Sequence, residues 1–267
     1  MTIGSLFSGI GGLELGLEWA GLGPTIWQVE QDAFCRSVLA RHWPEADRTI
    51  TDVRAATTES LRRVDIVCGG FPCQDVSGAG KGAGLAGARS GLWYEFRRVV
   101  GELRPRGVVV ENVASGAKRW LCEVRAGLHD LGYRTRAVQV SAFDVGAPHL
   151  RRRVFVLAAD PERVELREQQ GRRRGAGGQG APLAPDDGAE RAATHTDHQG
   201  QLQPQGRVPN EWRWARDGGR WTIESPVSGV AYGVSGRVDR ERALGNAVVP
   251  QQAHAVGLVL REWVGHV

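Results

Sequence analysis

Long apolar runs are missing from this chain; none approaches the roughly 20 residues that a membrane span requires. Its start, Met1-Thr2-Ile3-Gly4-Ser5, has neither the basic residues nor the extended apolar core of a signal peptide. The expectation is a cytoplasmic protein with no membrane partner. Cysteine is scarce as well. Cys35, Cys68, Cys73 and Cys122 show neither metal-ligand spacing nor a disulfide framework, which fits a reducing compartment and excludes a cysteine-built metal centre. Lysine is almost absent, because Lys81 and Lys118 are the two among 34 basic residues. The rest are arginines, which make bidentate contacts with guanine edges and phosphates. A formal charge of +4 and an isoelectric point near 9.2 lean toward a polyanionic partner. Compositional bias toward Arg, Ala and Gly explains the same numbers equally well.

What is present is enough for a full core: 267 residues, 41% hydrophobic and 24% charged. The central stretch is Gly69-Gly70-Phe71-Pro72-Cys73-Gln74, after the apolar run Val64-Asp65-Ile66-Val67-Cys68 and before a glycine-crowded segment at 78–87. It reads as a buried strand, a sharp turn, a thiol and a mobile loop. Open α/β sheets place ligands at the carboxyl ends of their strands, so Cys73 sits where a nucleophile belongs. Cys68 within the strand, and Cys35 and Cys122 within helical patterns, read as buried small hydrophobes.

Ahead of it, Thr2 to Phe7 reads as a strand, Ser8-Gly9-Ile10-Gly11-Gly12 as a glycine turn, and Leu13 to Ala20 as a helix. A second strand, Thr25 to Val29, ends in Glu30, about twenty residues past the turn, where a dinucleotide-type site places its ribose acceptor. Ala33 to Trp43 reads as a helix, Thr49-Ile50 as a brief strand, and Asp52 as another polar strand end. Together these suit a nucleoside lying across consecutive strand ends.

Further on, Ser90 to Leu103 is an amphipathic helix and Gly107 to Val110 a buried strand ending in Glu111-Asn112-Val113. A desolvated carboxylate there is an acid candidate, and Asn112 suits a helix N-cap. Lys118 to Leu131 is a helix and Thr135 to Val140 a strand. His149-Leu150-Arg151-Arg152-Arg153 enters the strand Val154 to Ala158, with Arg151 and Arg153 on one face. Residues 162 to about 240 are rich in Arg, Gly, Gln and Pro, with little periodicity, and read as a loop-rich lobe. His195 and His198 within it have no thiol partners and read as surface residues, so no metal is expected. Regular structure returns at Ala243, followed by a helix from Gln251 to Val264.

These blocks together resemble the DNA cytosine-5 methyltransferase family, over residues 3 to about 160 and again 242 to 260. Phe7 to Gly12 is similar to its first S-adenosylmethionine motif, Phe71-Pro72-Cys73-Gln74 with Ser77 to its nucleophile motif, Glu111-Asn112-Val113 to its acid motif, and Gly245 to Val248 to its last motif. His149 stands where the family has Gln, and Gln31 where many members carry an aromatic. The resemblance implies a Rossmann-like α/β fold, doubly wound with a mostly parallel sheet, formed by residues 1–160 plus 242–267. A small irregular target-recognition lobe would occupy 161–241. It implies S-adenosyl-L-methionine held by Phe7, Gly9, Gly11, Gly12, Glu30, Gln31, Asp52, Val53, Pro72, Asn246 and Val248. Catalysis would fall to Cys73, Glu111, Arg151 and Arg153, and the substrate would meet Gln74, Ser77 and Asn112. The implied reaction is methyl transfer to C5 of a flipped-out cytosine in double-stranded DNA through a covalent Cys73–C6 adduct. A lid from 78 to 91, a monomeric state and a cognate restriction endonuclease belong to the same expectation. A tRNA substrate, or a non-catalytic DNA-binding descendant, are the alternatives.

Overall fold

The computed structural model describes residues 1–72, 91–162 and 237–265. Cys73, Gln74, Ser77 and nearly all of the expected lid and of the expected target-recognition lobe lie outside them. The described residues form a six-stranded sheet in the order β2-β1-β3-β4-β6-β5. Its strands are β1 (Ile3–Leu6), β2 (Thr25–Val29), β3 (Ile66–Gly69), β4 (Gly107–Val113), β5 (Arg134–Val140) and β6 (Arg153–Ala159). Strands β1 to β4 run parallel, while β6 runs antiparallel to both β4 and β5. The chain lays β2 on one side of β1 and then crosses to place β3 on the other. That reversal of winding is the topological switch point at which such sheets bind ligands.

Burial explains the strand sequences. The inner strands β1, β3 and β6 are buried at every position, as strands covered on both faces must be. The edge strand β5 instead alternates, and its Arg134 and Gln139 are exposed, which discourages pairing with another chain.

The α-helices among the described residues are α1 (Gly12–Trp19), α2 (Ala33–His42), α3 (Leu92–Leu103), α4 (Ala117–Asp130), α5 (Arg237–Asn246) and α6 (Pro250–Val264). Trp93, Phe96 and Val100 of α3 and Trp120, Val124 and Leu128 of α4 form one core with Leu6, Val67 and Val110. Leu13 and Leu17 of α1 and Val256 and Leu260 of α6 form a second with Ile3, Cys68, Val109 and Phe155. A fully buried aliphatic or aromatic side chain contributes about 1.5–3 kcal/mol to such a core. Close approach of α1 to α6 depends on small residues: a Cβ on Gly16 would stand 2.2 Å from Pro250 O, and one on Gly257 2.7 Å from Ala20 Cβ.

Four local expectations change. Thr49-Ile50 forms no strand; one parallel bridge joins Trp27 and Asp47, and the Thr49 amide donates to Asp47 Oδ1 at 2.8 Å. A side chain that binds the nearby backbone this way competes with a ladder. Asn112 is not a helix cap: it lies inside β4, and Gly116 caps α4 in the left-handed conformation. Cys122 is exposed, because Trp120, Val124 and Leu128 set the buried face of α4 and leave it on the other side. Helix α5 starts at Arg237, within a stretch whose composition gave no helical period.

Candidate active site

A cleft of about 390 Å³ opens at the switch point, within the range of small-molecule sites. Phe7, Ser8 and Gly9 line it from the end of β1, Gly70, Phe71 and Pro72 from the end of β3, and Asn246, Ala247 and Val248 from the segment between α5 and α6. The glycine turn after β1 is left-handed at Phe7, Gly9 and Gly11, with φ of 57°, 56° and 85°. Gly12 is dictated by space, since a Cβ there would stand 2.2 Å from Val248 O.

Glu30 pins this turn. Its Oε2 accepts from Gly9 N at 2.8 Å and its Oε1 from Asp32 N at 2.7 Å. A carboxylate has further lone pairs, so Glu30 keeps acceptor capacity on the cleft that it lines. Asp32 caps α2 through Cys35 N at 3.0 Å and pairs with Arg242 Nη2 of α5 at 2.8 Å. The Cys35 amide first, then Arg242, hold the Asp32 carboxyl below its usual range despite partial burial. Burial, with Glu30 and Asp32 nearby, pushes the Cys35 thiol up to about 12, so it is no nucleophile near neutral pH.

Phe71 carries the chain toward residue 73 on an aromatic base. Its ring centroid lies 5.9 Å from that of Trp93 and 6.1 Å from that of Trp120, edge to face with the latter. Such pairs contribute about 0.5–1.5 kcal/mol beyond burial. Asn112 Nδ2 donates to Phe71 O at 3.1 Å and fixes the same segment to β4.

Glu111 lies behind Gly70, where a Cβ would approach Glu111 Oε2 to 2.6 Å. It is 7% exposed, and Arg153 Nε stands 2.7 Å from its Oε1. Burial lifts the Glu111 carboxyl to about 7 against the pull of Arg153 and then Arg151. At neutral pH it therefore exists in both protonation states, as a proton donor must.

Arg151 and Arg153 do not share a strand face, contrary to the sequence pattern, because β6 begins only at Arg153. Arg151 has a φ of 25°, and its guanidinium donates to Gly245 O at 2.8 Å and, through Nε, to Ala247 O at 3.1 Å. Gln252 of α6 returns the grip by donating to Arg151 O at 3.0 Å.

Of the residues expected to hold a cofactor, the structure brings Phe7, Gly9, Gly12, Glu30, Gln31, Val53, Pro72, Asn246 and Val248 to this cleft, together with Glu111, Asn112 and Arg153. Gly11 and Asp52 are not among its lining. Gly11 packs on the Trp43 ring, where a Cβ would approach to 2.3 Å, and Asp52 pairs with Arg54 at 3.3 Å. Sequence reasoning missed Glu14, Asp32 and Arg242, which also line the cleft. Glu14 carried no signal of its own, since it lies in an ordinary helical pattern. Among the described residues no group of three His, Cys, Asp or Glu side chains gathers as a metal site requires. No described helix is long and apolar enough to cross a membrane.

A mostly parallel sheet covered on both faces, with a cleft at its switch point, defines the Rossmann-like methyltransferase class of fold. Its structural neighbours include a candidate DNA modification methyltransferase encoded within an E. coli prophage, with a TM-score of 0.51, 29% identity, and coverage of 60% of this chain and 47% of that one. The sequence pattern of C-5 cytosine-specific DNA methylase matches residues 1–180. The chain belongs to that family. Its relatives include the Type II methyltransferase M2.BsuMI of Bacillus subtilis, 36% identical over 180 residues, covering 61% of this chain and 44% of the relative. Another is the Type II methyltransferase M.HhaI of Haemophilus parahaemolyticus, 31% identical over 156 residues, covering 57% of this chain and 47% of the relative. The chain thus spans less than half the length of these two relatives.

Proposed function

We propose that this chain methylates C5 of cytosine in double-stranded DNA, with S-adenosylmethionine as the donor. The observation that carries the proposal is one cleft lined by Pro72, the residue before Cys73, by a buried Glu111 carboxyl near neutrality, and by a glycine turn pinned to Glu30. The residues present fit the donor: Phe7 and Val53 offer apolar surface to a base, and Glu30 offers acceptors to ribose hydroxyls. Asn246 and Val248 bound the same space. The donor supplies an electrophilic methyl group on a sulfonium.

Cytosine C5 is too weak a nucleophile to take that methyl unaided. The Cys73 thiolate adds to C6 while protonated Glu111 donates to N3, so the ring becomes electron-rich at C5 without building up negative charge. Methyl transfer to C5 leaves the donor as a neutral thioether; loss of the C5 proton to solvent then restores the C5–C6 double bond and expels the thiolate, and N3 returns its proton to Glu111. Arg153 keeps Glu111 in place and lines the cleft beside it. The target base enters by flipping out of the duplex, at a cost of a few kcal/mol. Residues 161–241 form the reading lobe in this proposal, the protein acts as a cytoplasmic monomer, and a restriction endonuclease of the same specificity is its natural counterpart.

The experiment is transfer of labelled methyl from S-adenosylmethionine to a mixed-sequence duplex and, in parallel, to tRNA, with Cys73→Ala beside the wild type. Base-resolution mapping of 5-methylcytosine then gives the recognition sequence. Transfer to DNA by the wild type alone is the expected result. Transfer confined to tRNA, or full transfer by Cys73→Ala, overturns the proposal.

A further inference from the structure

The carboxyl of Glu14, in the first turn of α1, is fully buried, and neither of its oxygens has a hydrogen-bond partner. It lines the cleft. The nearest donors are the Ser5 and Ser8 hydroxyls, with Ser8 Oγ donating to Ser5 Oγ at 2.9 Å, and their pull on the carboxyl is smaller than the cost of its burial. On the neighbouring strand, Cys68 is fully buried. Among the described residues no basic side chain pairs with Glu14. A buried carboxyl in this state is costly unless a cation reaches it.

The other carboxylates that line the cleft already have partners. Glu30 accepts from two backbone amides, Asp32 pairs with Arg242, and Glu111 pairs with Arg153. S-adenosylmethionine carries two positive centres, its sulfonium and its α-ammonium, both at the methionine end. We propose that Glu14 binds this cationic methionine end and is the anion that the cleft reserves for it. The inference rests on the cofactor reading given above. It also accounts for burial of an acidic side chain between Leu13 and Leu15, where an apolar residue would pack without penalty. Burial lifts the Glu14 carboxyl to about 7, so an arriving cation meets a group ready to give up its proton.

The test is isothermal titration calorimetry on the full chain with three probes: S-adenosylmethionine, S-adenosylhomocysteine and 5′-methylthioadenosine. The last keeps the nucleoside and thioether but lacks the amino-acid end and both charges. Glu14→Gln is expected to weaken S-adenosylmethionine about tenfold or more, the scale of one charged hydrogen bond, while 5′-methylthioadenosine binds within about twofold of wild type. An equal loss for S-adenosylhomocysteine assigns the contact to the α-ammonium; a loss for S-adenosylmethionine alone assigns it to the sulfonium. Unchanged S-adenosylmethionine binding, or an equal loss for all three probes, overturns the inference. Absence of any S-adenosylmethionine binding by the wild type instead overturns the cofactor reading beneath it. Glu14→Met, apolar and of similar length, repeats the comparison should the Gln variant fail to fold.

Discussion

Arg153 Nε meets Glu111 Oε1 at 2.7 Å because β6 runs against β4. In that register Arg153 lies opposite Val113, one step diagonally from Glu111 on the same face. The single reversed strand thereby delivers the guanidinium to the buried acid. Arg153→Ala leaves Glu111 without its counter-charge, which in a buried pair costs about 3–5 kcal/mol. The charge is present only above the Glu111 midpoint of about 7. Without Arg153 that midpoint rises further and Glu111 takes up a proton instead of standing unpaired, so urea unfolding is expected to show a loss about 1 kcal/mol larger at pH 8 than at pH 5. Equal losses at the two pH values would mean that Arg153 contributes by packing alone.

Arg151 has a different task, although it stands two residues away. Its guanidinium ties the entry to β6 to Gly245 and Ala247 of the Leu244–Val249 segment, while the Gln252 amide of α6 holds the backbone of the same entry. That segment presents Val248 O to Gly12 and lines the cleft. Arg151→Ala is expected to weaken S-adenosylmethionine binding about tenfold by calorimetry, one charged hydrogen bond's worth, with affinity for a DNA duplex nearly unchanged. A loss confined to DNA in a gel-shift titration would show instead that Arg151 touches the nucleic acid.

How far the sequence discloses this site depends on the distance over which each feature is decided. The glycine turn, Glu30 and the Gly70-Phe71-Pro72 approach are settled within a few residues, and the structure brings all three to one cleft. Glu111 and Arg153 are legible as residue types, but their contact requires β6 to reverse, which no local pattern states. Arg151 and Arg153 read as a shared face only under the assumption that the strand began earlier. Glu14 was illegible because its burial comes from the sheet beneath α1, where Ser5 of β1 and Cys68 of β3 lie beside it and the latter is far away in sequence. Thr49-Ile50 shows the opposite failure: β-branched residues suggested a strand, and the Asp47 carboxylate captured the backbone first.

Gly9 and Gly12 stand in the same turn for different reasons. A Cβ on Gly9 meets nothing within 4 Å, yet its φ is +56°, whereas Gly12 has an ordinary φ and a Cβ there lies 2.2 Å from Val248 O. Gly9→Ala is expected to cost about 1 kcal/mol of backbone strain. Gly12→Ala must displace backbone and is expected to cost about 3 kcal/mol. Because the displaced segment lines the cleft, Gly12→Ala also lowers cofactor affinity. Thermal unfolding with and without S-adenosylmethionine checks both. A larger loss for Gly9→Ala would refute the assignment of the turn's constraint to Val248.

Glu14 also sets how stability depends on pH. Its folded value of about 7 lies above the ordinary 4.5, so the folded chain binds a proton that the unfolded chain has already released between these values. The stability tied to that proton is fully present below about pH 4.5 and is lost as pH rises through 7. Between pH 5 and pH 8 the loss from this one group is on the order of 2 kcal/mol. Glu14→Gln has no proton to lose, so its unfolding free energy should fall less over that interval, by about the same amount. Glu111 titrates over the same range in both proteins and cancels in the comparison. Urea titrations of wild type and variant at the two pH values measure the difference directly. Identical pH dependence would mean that the carboxyl stays ionised in the folded chain, and that the empty cleft already stabilises its charge.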